Sequence, residues 1–314
     1  MNGNLSARKG LVLSIMIFLA PTLAFAVMPT NPVSDREFLR LPDGRNLADV
    51  KVSGVKLSLT KGTGTAFGVS QQAAYNAIKA ETLADPKHKI QWAIMNLDSH
   101  QLLANSLGAR RRLFGASVTK VFCGGTLLDK QAGALTSSQL QLMADMIVVS
   151  SNSAWTNLQR QIGGGDADRG RAATFQFTQR MGYLDTVGFQ GTWGNVHGNE
   201  LTAADLVEYM HDTYKGEYPG AETLWKIMHT GRTGTSRGKK YIPREIYVGG
   251  KTGTYDGPTQ IDGVSLNVKV RNHLLVMNVA GVEYGIAILN DTGSDESTAV
   301  LAGGLLREFT GYRP

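Results

Sequence analysis

The sequence predicts an α+β protein: one antiparallel sheet built from the two ends of the chain and flanked by helices, with a helical subdomain between them. Two strand-like runs, residues 90–97 and 101–106, sit early in the patterned region and are joined by the turn Asp98-Ser99-His100. The middle of the chain has helical period. Strand period returns in residues 246–249, 264–270, 274–279 and 284–289, followed by a closing helix over 295–309.

The helices follow in order. Residues 71–84 carry good helix formers. Residues 117–131 place Val121, Phe122, Leu127 and Leu128 on a helical period that stops near Gly133. Thr136-Ser137-Ser138 precedes a second apolar-periodic run that ends near Val149. Further helices are expected over 171–181, 203–214 and 221–228. Residues 50–59 alternate like a strand, and residues 61–68 are glycine-rich and read as a linker. No internal repeat is visible.

The chain of 314 residues is 42% hydrophobic and 18% charged, which is enough apolar material for a real core. Its first 26 residues read as an export signal. Arg8 and Lys9 precede an apolar run from Leu11 to Ala26, closed by the small-x-small site Ala24-Phe25-Ala26. Pro21 interrupts the run, which is also short for a membrane crossing of roughly 20 residues. Cleavage after Ala26 would leave a periplasmic or secreted protein without a stable membrane span. The loss of Arg8 and Lys9 would take the net charge from +6 to +4. Residues 27–70 form an N-terminal extension with no assignable role, and residues 71–314 the catalytic domain. The single cysteine, Cys123, excludes an internal disulfide and reads as a small buried hydrophobe.

Three short patterns carry chemistry. Ser117-Val118-Thr119-Lys120 is a Ser-x-x-Lys pattern at the start of an amphipathic helix. Residues three apart share a helix face, so the lysine stands beside the hydroxyl, and a desolvated lysine can serve as its base. The same spacing recurs at Ser6, Ser53, Ser58 and Ser236, but in the leader, in strand-like sequence or in a loop. Ser150-Ser151-Asn152 offers a second hydroxyl and an amide between two helices, although an isolated Ser-x-Asn is more often a helix cap. Lys251-Thr252-Gly253-Thr254 follows a strand and two glycines, where an edge strand can pair with a ligand and a lysine can meet a carboxylate. Arg232-Thr233-Gly234-Thr235 has similar letters but lies in a polar loop.

Taken together and in this order, the three patterns resemble those of the penicillin-recognising serine hydrolases, the class A β-lactamases and the D,D-peptidases. The likeness runs over roughly residues 71–309 and is nearer to class A β-lactamases than to large penicillin-binding proteins. It implies a β-lactamase/transpeptidase-like fold. It also implies that Ser117 attacks a carbonyl, Lys120 takes its proton, and Ser150 relays a proton to the leaving nitrogen. Asn152 would hold the substrate amide, and Lys251 and Thr252 its carboxylate. Gly253 and Thr254 would line the substrate, with the N–H groups of Ser117 and Thr254 as oxyanion hole.

The sequence departs from the pattern in three places. Ser151 stands where class A carries an aspartate. The stretch between Ser117 and Ser150 is short for the family. The segment 184–202 lacks the Glu-x-x-x-Asn whose glutamate activates the deacylating water. Glu200 lies too near the next helix, which leaves Asp185 and His197 as substitutes. The expected substrates are β-lactams or muropeptides, with peptidoglycan as a possible polymeric partner and no nucleic acid. A D,D-carboxypeptidase or endopeptidase is the competing enzyme, and a non-catalytic penicillin- or wall-binding module the competing binder. No metal pattern or phosphate loop is seen, so no cofactor is expected.

Overall fold

The structure, a computed structural model, describes residues 34–187 and 199–313. The leader with its cleavage site at Ala26, and His197, lie outside the described residues. In chain order the elements are α1 (Asp35–Phe38), β1 (Lys51–Val52), β2 (Val55–Lys56), α2 (Val69–Ala84), β3 (Ile90–Asn96), β4 (Gln101–Asn105), β5 (Leu113–Phe114), α3 (Lys120–Lys130), α4 (Ser137–Val148), α5 (Asn152–Ile162) and α6 (Ala167–Arg180). Then come β6 (Glu200–Leu201), α7 (Ala203–Lys215), α8 (Ala221–Met228), β7 (Tyr247–Ile261), β8 (Val264–Val279), β9 (Val282–Asn290) and α9 (Asp295–Phe309).

Five strands form an antiparallel sheet in the order β4-β3-β9-β8-β7, so the two chain ends meet where β3 pairs with β9. Both faces are covered. Trp92, Ile94, Leu275, Met277, Ile286 and Ile288 pack under α2 and α9 with Tyr75, Leu301 and Leu305. The alternate residues Ala93, Met95, Leu274, Val276, Ala287 and Leu289 face the larger core shared with α3, α4, α7 and α8. Successive strand side chains point to opposite faces, and here both faces are dry. The expected α+β architecture is the one observed.

Several boundaries differ from the sequence reading, each for a local reason. Residues 264–279 form one strand rather than two. The polar run Arg271-Asn272-His273 looks like a break, but several of its polar atoms find partners inside the fold, and His273 Nε2 is buried without one among the described residues. Asn272 Nδ2 donates to Phe114 O at 2.8 Å, Asn272 Oδ1 accepts from Asn290 N at 2.8 Å, and His273 Nδ1 accepts from Gly238 N at 3.1 Å. Its partner β7 likewise runs on through the Lys251 motif. Residues 50–59 are not one strand but a tight hairpin, because Ser53 (φ 51°) and Gly54 (φ 78°) take the left-handed conformation of a two-residue turn. Residues 61–68 are not a free linker at their start. Thr60 bonds to both His229 and Val248, and Gly62 N donates to Ile246 O at 3.1 Å. The extension adds Phe38, Leu39, Leu47, Val52 and Leu57 to the larger core. The helix expected over 171–181 begins a turn earlier, where Asp166 caps it by accepting from Asp168 N and Arg169 N.

Candidate active site

The segment carrying Ser117 starts with a 3-10 turn, Ala116–Thr119, and becomes α-helical only at Lys120. The sequence placed the helix start at Ser117 itself. Ala116 is left-handed (φ 46°), which turns the chain from β5 into this segment. Ser117 therefore sits in the first turn, where backbone N–H groups lack intrahelical acceptors. Its side chain is half-buried, and among the described residues Ser117 Oγ has no hydrogen-bond partner.

Strand β7 is pressed against this turn. A Cβ on Gly253 would lie 2.6 Å from Gly115 O and 3.2 Å from Val118 N. Only glycine lets the strand carrying Lys251 come this close to the turn carrying Ser117.

Lys120 is fully buried, and its ammonium points away from its own helix toward the α4–α5 connection. Lys120 Nζ donates to Ser150 O at 2.7 Å, to Ser150 Oγ at 3.2 Å and to Asn152 Oδ1 at 2.6 Å. It also lies over the Trp155 ring, 5.2 Å from the centroid. Burial pulls it down to about 7, and no carboxylate opposes that shift. None of these bonds goes to Ser117.

Ser150 is the meeting point. It is left-handed (φ 62°), a conformation uncommon outside glycine, and this aims its hydroxyl between two lysines. Lys251 Nζ donates to Ser150 Oγ at 2.7 Å and to Thr252 O at 2.8 Å. Lys251 is fully buried, and its ammonium lies well below the usual lysine range, first through burial and then through the positive charges of Lys120 and Arg237. The helix-capping role open to this motif falls to Ser151, whose Oγ accepts from Ala154 N at 3.2 Å at the start of α5. That leaves Ser150 and Asn152 free for the site. With its Oδ1 held by Lys120, Asn152 has its amide N–H groups to offer.

Two residues that the sequence patterns did not single out touch the Lys251 motif. Arg237 is buried and donates to Gly253 O at 3.0 Å and to Thr254 Oγ1 at 3.1 Å, while Asp295 holds its other side at 2.6 Å. Thr233, inside the loop set aside as a look-alike, accepts from Thr252 Oγ1 at 2.9 Å. Both come from a loop without regular period, so only their contacts reveal them. The Ser236-x-x-Lys239 look-alike is not a pair, since Lys239 Nζ turns to Thr60 Oγ1 and Gly231 O while Ser236 faces Asp295.

The two described carboxylates of the segment 184–202 are occupied elsewhere. Asp185 faces Arg110 and Arg112 at 3.7 and 3.8 Å. Glu200 is buried, which raises its carboxyl, and it accepts from Asp262 N at 3.3 Å at the tip of the β7–β8 hairpin. Among the described residues no cluster of His, Cys, Asp and Glu could hold a metal. Cys123 is buried one turn beyond Lys120 and its thiol is pushed up to about 12.

A fold of this kind, with three motifs from separate stretches gathered at Ser150, defines a class. Residues 121–303, more than half of the chain, match the sequence profile of the β-lactamase enzyme family, and the chain belongs to that family. Solved structures of the same fold include a β-lactamase from Xanthomonas campestris pv. campestris (16% identity, 77% of this chain and 98% of that one, TM-score 0.58). A β-lactamase from Desulfarculus baarsii is similar at 18% identity, over 75% of this chain and 97% of that one, with TM-score 0.58. A class A β-lactamase representative from Bacteroides cellulosilyticus is similar at 18% identity, over 74% and 94%, with TM-score 0.57. A comparison with curated proteins returned no match.

Proposed function

We propose that the protein is a serine acyl-enzyme hydrolase acting on β-lactams or related acyl-D-Ala-D-Ala-like amides, with Ser117 as nucleophile. The observation that carries this reading is the meeting of Lys120 and Lys251 at the Ser150 hydroxyl, with Asn152 Oδ1 held by the same Lys120 ammonium, beside the turn that exposes Ser117. Lys120, held near neutrality by burial, takes the Ser117 proton as the Oγ–carbonyl bond forms. The N–H groups of Ser117 and Thr254 receive the developing oxyanion. When the C–N bond breaks, Ser150 gives its proton to the leaving nitrogen and is refilled from a neighbouring ammonium. Water then cleaves the ester. A substrate carboxylate would favour the charged form of Lys251, which burial disfavours, and this supports an anionic substrate.

Export to the periplasm or medium, with cleavage after Ala26, belongs to the same reading and is supported by the leader sequence. Among the described residues no helix is long and apolar enough to cross a membrane. The D,D-peptidase alternative is favoured by one observation: none of the described carboxylates contacts Lys120, Ser150 or Lys251, and a penicilloyl ester needs an activated water once formed. Intact-mass measurement during incubation with a penicillin tests the reading. A mass increase of one penicillin supports it, stable if deacylation is slow and transient if it is fast. No adduct and no hydrolysis at any time would leave only the binding module.

A further inference from the structure

The loop 229–239 lies between the Lys251 motif and the N-terminal extension, and it is bonded to both. On the site side, Arg232 N donates to Val148 O at 3.0 Å, two residues before Ser150, and Thr233 accepts from Thr252. On the other side the Arg232 guanidinium donates to three carbonyls of the β1–β2 hairpin: Val52 O at 2.8 Å, Val55 O at 2.9 Å and Lys56 O at 3.0 Å. Gln141 on α4 adds a bond to Lys51 O at 2.9 Å, and Thr60 ties the following stretch to His229 and Val248. Arg232 thus joins a hairpin far back in sequence to the backbone that presents Ser150 and Thr252.

We propose that Arg232 is a positioning residue through which the β1–β2 hairpin fixes the geometry of the Ser150 turn and of Thr252. This rests on the reading of Ser150 and Thr252 as parts of an acyl-transfer site and gives the extension a task in that site. The physical case is one of constraint. Ser150 is held in a left-handed conformation that other contacts must enforce, and the segment that presents it ends a helix at Val148. Val148 O is the acceptor that Arg232 N occupies. A planar guanidinium with five donors in a fixed fork bonds several carbonyls at once, and a lysine ammonium cannot copy that geometry. The hairpin contributes fixed acceptors because its turn is tight and Val52 is buried in the core.

The test uses the full chain and two variants that disturb the link from opposite ends. Arg232→Gln removes the fork. Gly54→Val leaves Arg232 intact but strains the turn, where φ is 78° and a Cβ would meet nothing within 4 Å. Hydrogen exchange by mass spectrometry should show faster exchange in peptides covering 148–152 and 252–254 as well as in 51–57, for both variants, well below their melting temperatures. Acylation by a fluorescent penicillin should slow by about 10- to 100-fold in the limiting rate, with a smaller change in half-saturation. Arg232→Lys should recover only part of that rate. Faster exchange confined to 51–57, with acylation unchanged, would overturn the proposal and leave Arg232 as a local clamp. If the wild type is never acylated, the hydrolase reading fails, and the exchange measurement still decides whether Arg232 couples hairpin to turn.

Discussion

Lys120 and Lys251 donate to the same oxygen, Ser150 Oγ, from 3.2 and 2.7 Å. Burial makes Lys251 easier to deprotonate, and the positive charge of Lys120 adds to that effect. A carboxylate placed beside Lys251 would favour its charged form, which burial disfavours.

Acylation should depend on pH accordingly. Lys120 lies at about 7, so its basic form fills as pH rises through that value. The limiting acylation rate should climb by roughly tenfold per pH unit below 7 and level off above it, as expected when one base must be free. Stopped-flow measurement with a chromogenic β-lactam from pH 5 to pH 9 checks this. A flat profile over that range would assign the base elsewhere. Lys120→Ala should lower the plateau by about 10²–10⁴-fold.

Ser117→Ala should abolish covalent labelling by a fluorescent penicillin and leave the circular dichroism spectrum unchanged, because among the described residues the hydroxyl has no hydrogen-bond partner to lose. Persistent labelling would move the nucleophile.

Turnover should show a burst. No described carboxylate stands by Ser150, and Asp185 is engaged by Arg110 and Arg112. A penicillin should give one rapid equivalent of product and then a weak steady rate, and Asp185→Asn should not change the burst. Fast multiple turnover without a burst would point to His197, and His197→Ala should then restore it.

Stability should rise with pH between about 7 and 9. Lys239 is pulled down to about 7 by burial, against an ordinary value of 10.5. A lowered lysine binds fewer protons folded than unfolded within that window. Its penalty is complete below the folded value and is relieved as pH rises toward the unfolded one. Melting temperatures at pH 7 and pH 9 should differ less in Lys239→Met than in the wild type. An equal pH response would show that Lys239 does not titrate in the fold.

Ser151→Ala should cost about 1 kcal/mol through loss of the α5 cap, while Ser151→Asp should be close to neutral, since both side chains cap well. Denaturant titration of the three proteins measures this, and a Ser151→Ala variant as stable as the wild type would remove the cap from the account.

Much of this protein is local, and the sequence by itself determined it. The short apolar runs of residues 90–97 and 284–289, helical period in 221–228 and 295–309, and the capping Thr136 all act over a few residues, and each element is present. The three motifs were legible for the same reason: each is a short pattern of neighbouring residues. Tertiary structure decided what depends on distant partners. Residues 271–273 remain strand because Asp256 pairs Arg271, Phe114 and Asn290 bond Asn272, and Gly238 bonds His273 Nδ1. Ser151 rather than Ser150 caps α5 because two lysines, 30 and 101 residues away in sequence, claim the Ser150 hydroxyl. Arg237 and Thr233 reach the Lys251 motif from a loop that has no period to read. The extension, which had no assignable role in the sequence, is held by Arg232 across 176 to 180 residues of chain. Hydrogen bonds and charge pairs between such remote groups leave no trace in local pattern, because only the closed fold brings donor and acceptor together.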